Sequence, residues 1–157
     1  SKIKGPCYIR TCRLASNIIY EENQEFEVGK AVQIGDGTDV TVFATGVCVA
    51  EAIKAKEELE EKGIHIRVVD VHTIKPIDKE MIIKCAKETK RLISIEDHSI
   101  IGGLGSIIAD VLCENYPATL TKMGVKDRFG ESGKAQELMT KFEIDCDAIV
   151  REIEKKG

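Results

Sequence analysis

The sequence predicts an α/β fold: a three-layer α/β/α sandwich around a roughly five-stranded, mostly parallel sheet with one antiparallel edge strand. Apolar residues recur at helical spacing through residues 47–62, between β-branched runs at 40–45 and 64–71. A helix between two such strands makes a βαβ crossover and requires parallel pairing. The alternation then repeats along the chain. Length and composition agree, since 157 residues with 43% hydrophobic and 32% charged side chains suit one domain and exclude a disordered or collagen-like chain.

Each element has its own signal. Residues 7–11 have strand composition but stand behind a polar stretch at 21–27, which reads as an arm and linker. Lys30-Ala31-Val32-Gln33-Ile34 and the run at 40–45 flank Gly35-Asp36-Gly37, which predicts a hairpin whose first strand is the antiparallel edge. The helix at 47–62 presents Val49, Ala52, Ile53, Ala55 and Leu59 on one side and stops at Gly63. Pro76 and Asp78 open a second helix through Met81, Ile82, Cys85 and Ala86, and residues 91–96 form the next strand. Gly102-Gly103-Leu104-Gly105-Ser106 leads into a third helix with Ile107, Ile108, Val111 and Leu112 inward, followed by a last strand at 118–123. Two short helices, 134–142 and 145–155, cap the sheet, with Asp145 as the N-cap of the second.

Charge and hydropathy narrow the function. A balance of 23 Lys and Arg against 27 Asp and Glu gives −4, which provides no attraction for nucleic acid or anionic lipid. No stretch approaches the roughly 20 apolar residues of a membrane span, and no signal peptide is evident, so a cytoplasmic location is expected. Six scattered cysteines without a Cys-x-x-Cys motif read as reduced core thiols. They and the three histidines are too dispersed in sequence to suggest a metal site.

Four groups of residues are candidates for chemistry. The glycine turn at 102–106 joins a parallel strand to a helix, where backbone N–H groups can hold an anion, although Ile108 stands where the dinucleotide fingerprint needs its third glycine. It reads first as a packing turn. Gly35-Asp36-Gly37 matches the start of a thiamine diphosphate and Mg²⁺ motif but lacks the paired asparagine, and reads as a turn. Asp97-His98 lies at the carboxyl end of a strand, the place where α/β sheets bind ligands; His65 and His72 lack such a context. Arg10 and Arg13 form a guanidinium pair suited either to an anion or to salt bridges with an acidic surface.

Several strings occur together and in order: Gly5-Pro6-Cys7-Tyr8-Ile9-Arg10-Thr11-Cys12-Arg13, residues 64–76 (IHIRVVDVHTIKP), Ile95-Glu96-Asp97-His98 with the following glycine turn, Phe129-Gly130-Glu131-Ser132-Gly133-Lys134 and Phe142-Glu143-Ile144-Asp145. Together they resemble the C-terminal part of a transketolase. The resemblance implies residues 1–27 as the end of a pyrimidine-binding domain plus linker, and 28–157 as the transketolase C-terminal domain. It also implies a homodimeric enzyme that moves a two-carbon ketol unit between sugar phosphates using thiamine diphosphate and Mg²⁺.

On that resemblance Arg13 binds the substrate's phosphate, whereas Arg10, Asp97 and His98 are candidates for a minor or interface role. The catalytic, cofactor-binding and metal-binding residues of the family lie in domains this chain lacks, so the chain alone is expected to be inactive. It is then a cut domain or a split subunit, and the start at Gly5-Pro6 favours the former. Two alternatives stay open: the terminal domain of a deoxyxylulose phosphate synthase or 2-oxo acid dehydrogenase β subunit, and a regulatory module binding a nucleotide or other anion at the glycine turn.

Overall fold

The computed structural model describes residues 3–12 and 15–155. Residues 3–12 and 15–31 form neither helix nor strand, because a strand-like composition makes a strand only where a neighbour completes its hydrogen-bond ladder. Five strands follow: β1 (Val32–Ile34), β2 (Val40–Ala44), β3 (Ile66–Asp70), β4 (Arg91–Ser99) and β5 (Leu120–Val125). The helices are α1 (Cys48–Glu61), α2 (Lys79–Glu88), α3 (Leu104–Asn115), α4 (Ala135–Lys141) and α5 (Cys146–Glu154). Their caps are those expected from sequence. Asp78 accepts from the Met81 N–H at 3.0 Å and Asp145 from the Ala148 N–H at 3.0 Å, while Gly63 ends α1 at φ 75°.

The strand order is β1-β3-β2-β4-β5, with β1 antiparallel to β3 and the other neighbours parallel. This corrects the expected hairpin. β1 is the antiparallel edge, but β3 inserts between it and β2, pairing Val32 with Asp70 on one side and Ala44 with Asp70 on the other. The segment after β1 therefore passes over the start of β3. At Gly37 a Cβ would lie 2.4 Å from the His65 carbonyl oxygen, so glycine is needed for this close passage rather than for a hairpin turn. Local sequence could not separate the two, since a Gly-Asp-Gly turn serves either path.

Each face of the sheet is covered by a pair of helices. Val42, Ala44, Val68, Ile93 and Ile95 pack with Ala52, Leu59, Ile149 and Ile153 of α1 and α5, whereas Phe43, Val69 and Leu92 pack with Ile82, Cys85, Ile108 and Leu112 of α2 and α3. Helix α5 thus belongs to a face layer instead of capping the sheet; its buried Ile149 contributes about 1.5–3 kcal/mol. Helix α4 buries no residue. The cysteines also depart from expectation. All six are free, but only Cys48 and Cys85 are buried; Cys7 and Cys12 lie on the exposed arm and Cys113 faces outward on α3. No helix among the described residues is long and apolar enough to cross a membrane.

Replacing Gly37 by alanine should destabilise the chain by about 1–3 kcal/mol in urea unfolding, because backbone rather than a flexible side chain blocks the new methyl group. An unchanged midpoint would contradict the close passage over β3.

Candidate functional site

The connection β2–α1–β3 leaves over one face and β3–α2–β4 returns over the other, so the strand order reverses between β2 and β4. Open α/β sheets bind ligands outside the carboxyl ends of such a pair. Here the crevice opens at Thr45 and Gly46 after β2 and at Glu96 and Asp97 on β4. Alternation along β4 sends Glu96 toward α3 and Asp97 toward the α1 face, where Ile93 and Ile95 also point.

Glu96 is 3% exposed and fills the amino end of α3. Its carboxylate accepts the Leu104 N–H at 2.8 Å and the Gly105 N–H at 3.0 Å. These amides are the ones an external anion would use, and the helix dipole favours the negative charge already there. The glycines are explained by the same contact. A Cβ on Gly103 would lie 2.0 Å from Glu96 Oε2, and one on Gly105 would lie 2.6 Å from Ser94 Oγ. The turn at 102–106 is a packing device around an internal anion.

Asp97 forms an ion pair with Arg10 of the arm. The hydrogen bond and charge of Asp97 push the Arg10 guanidinium pKa further up, and the pair rests beside Gly46, whose φ is +60°. Both partners keep substantial contact with solvent, so the pair contributes about 1 kcal/mol or less. Burial, reinforced by the nearby carboxylates Asp97, Glu51 and Glu96, pushes the Cys48 thiol strongly up and leaves it a poor nucleophile. His98 is exposed, with Nδ1 3.5 Å from the Ser99 carbonyl oxygen, and Asp97 turns to Arg10 instead of to it. Arg13 lies outside the described residues.

A second cluster was not foreseen from sequence. At the end of β3 the Tyr20 hydroxyl donates to Asp70 at 2.7 Å; the Tyr20 and Phe26 rings meet edge to face at 5.0 Å, and Phe26 meets His72 likewise at 5.2 Å. His72 Nδ1 stands 2.9 Å from the Thr73 hydroxyl. His72 therefore has a context after all, as part of a latch that seats the linker on the sheet. The available signal was the two aromatic residues, Tyr20 and Phe26, flanking an acidic stretch.

Other candidates resolve simply. Asp36 accepts from the Gln33 side chain at 2.8 Å, and exposed His65 faces Glu60 at 3.5 Å. The fold brings donor atoms of Glu58, Cys146 and Asp147 within 4.8 Å of one another despite their sequence separation. Burial and the neighbouring carboxylates push the Cys146 thiol up to about 11, which keeps it protonated at neutral pH.

Comparison with known proteins agrees with this architecture. A family model described as "Transketolase, C-terminal domain" matches residues 29–149. A Clostridium protein named 6-deoxy-6-sulfo-D-fructose transketolase subunit SqwH is 46% identical over 147 residues, covering 94% of this chain and 46% of the relative. Rat transketolase is 42% identical over 153 residues, covering 96% of this chain and 24% of the relative. A solved structure described as "Split gene transketolase, inactive beta4 tetramer" superposes with a TM-score of 0.85 at 39% identity, over 89% of this chain and 46% of that one. The chain belongs to the transketolase C-terminal domain family. It spans about half the length of the subunit-sized relative and about a quarter of the rat enzyme.

Burial raises the Asp70 carboxyl pKa, and the Tyr20 hydrogen bond and His72 offset this in part. A carboxyl raised in the folded state favours folding when protonated and loses that contribution as pH rises through the folded value. Asp70→Asn retains an acceptor for Tyr20, so it should be more stable than the native chain at pH 7. Its advantage should shrink as pH falls toward about 4 in urea unfolding. An advantage independent of pH would refute the assignment.

Proposed function

We propose that this chain is the C-terminal portion of a transketolase that transfers a two-carbon ketol unit between sugar phosphates, in concert with further domains on the same or another chain. Residues 1–27 are then the end of the preceding pyrimidine-binding domain with its linker, and 28–157 the C-terminal domain, within a cytoplasmic homodimer. One observation carries this division of labour: the crevice where an α/β sheet would place its ligand is taken up by Glu96 and by the Asp97–Arg10 pair. The family match supports the enzyme class.

Thiamine diphosphate and Mg²⁺ are the cofactors this family reading implies, and the residues present here do not fit them. The amides that would cradle a diphosphate hold Glu96, and Asp36 is held by Gln33 in its turn. The remaining domains would supply both sites. A chain that contributes no reacting group can still act on binding. In this proposal Arg13 grips the substrate's phosphate with a planar, permanently charged guanidinium, and that remote contact helps orient the reacting carbonyl. Asp97 contributes by tethering the same arm through Arg10. His98 has at most an interface role.

The test is ketol transfer from xylulose 5-phosphate to ribose 5-phosphate with thiamine diphosphate and Mg²⁺. The chain alone should be silent and should become active with the upstream domains. In the assembled enzyme Arg13→Gln should raise the KM for the phosphorylated acceptor about tenfold or more while sparing a non-phosphorylated one such as glycolaldehyde. Turnover by the chain alone would overturn the proposal, and an unchanged KM would remove Arg13 from it.

A further inference from the structure

Beyond the end of β5, a hollow of about 380 Å³ is lined by Lys126, Arg128, Thr140, Lys141, Phe142, Glu143 and Arg151. Four cationic side chains thus face one carboxylate, in a chain whose net charge is −4. The arginines set this place apart. Of the described arginines, Arg10, Arg67 and Arg91 each form a direct salt bridge with a carboxylate, while Arg128 and Arg151 form none and both line this hollow.

Arg128 is also held in place. Its guanidinium lies 4.2 Å from the centre of the Phe142 ring and donates to the Lys141 carbonyl oxygen at 2.8 Å, so its planar fork is ordered before any ligand arrives. Lys126 is paired with Glu143 at 2.7 Å, and Lys141 is engaged by Glu131. Those two lysines are already neutralised, and Glu143 repels an anion on its own side. The two arginines feel Glu131 and Glu143 only at longer range and make no direct salt bridge, so their N–H forks stay free of carboxylates. A hollow of this size sits at the lower end of the roughly 300–1,000 Å³ typical of small-molecule sites, which fits a compact ligand better than a polymer.

We propose that Arg128 and Arg151 form the anchor of an anion site for a phosphorylated small molecule, with Lys126 and Lys141 at its margin. The site shares no residue with the arm or with the end of β4, and it stands whether or not the transketolase reading holds. Guanidinium groups suit the ligand because they match a phosphate with parallel N–H donors and remain charged at any physiological pH.

The experiment follows the amide resonances of the 157-residue chain by NMR at constant ionic strength, during titration with inorganic phosphate, ribose 5-phosphate and ribose. Phosphate and ribose 5-phosphate should give saturable shifts centred on residues 126–128, 140–143 and 151, and ribose should give none. Equal affinity for both phosphates would support a site that reads phosphate alone; tighter ribose 5-phosphate binding would support one that also reads the sugar. Arg151→Gln, an exposed change on α5, should weaken binding about tenfold while leaving the remaining spectrum intact. Arg128→Lys, which keeps the charge but loses the fork, should weaken it less. Absence of shifts, shifts unaffected by either variant, or binding only to an oligonucleotide or an anionic phospholipid vesicle would overturn the proposal.

Discussion

The structure turns on the end of β4. This strand lies beside the reversal of strand order, and it delivers two successive carboxylates to opposite sides of the sheet. Burying Glu96 without partners would cost several kcal/mol, so its two amide donors at the start of α3 are a condition of the fold. They fix the distance between β4 and α3 and leave no space for side chains at Gly103 and Gly105. The anion that such a helix end attracts is therefore built into the chain, and the filled crevice holds another part of the chain in position.

What it holds is the preceding segment. Arg10 reaches the crevice through Asp97, and farther along the linker Tyr20 and Phe26 settle on Asp70 and His72 at the end of β3. Both attachments lie at the carboxyl ends of strands, one half-exposed and electrostatic, the other partly buried and aromatic. The exposed Tyr8, Ile9 and Ile18 stand along the same arm. The arm is thus fastened at intervals while these apolar side chains face outward.

Periodicity was sufficient to read the helices because their apolar stripes and caps are local. Asp78, Asp145 and Gly63 mark boundaries within one or two residues of those observed. Pairing is not local. β1 lies beside β3 because the chain crosses at Gly37, and that choice depends on the carbonyl of His65, a residue 28 positions away. The extension of β4 beyond Glu96 through Ser99 was likewise hidden, since Asp97, His98 and Ser99 have the polarity of a loop until their partners are known. Of the site, sequence drew attention to Arg10, Asp97 and the glycine turn but could not tell that Glu96 fills that turn. Arg128 and Arg151 were beyond reach, because only folding brings a loop and a distant helix to one hollow.

The tethered arm can be tested directly by ¹⁵N relaxation of residues 8–12 in the native chain and in Asp97→Asn. With the ion pair intact these amides should have order parameters well above those of a free tail. In Asp97→Asn, or in strong salt, they should fall below about 0.6, while Leu104 and Gly105, held by Glu96, stay rigid. Equal mobility of the arm with and without the Asp97 carboxylate would show that the end of β4 does not hold it.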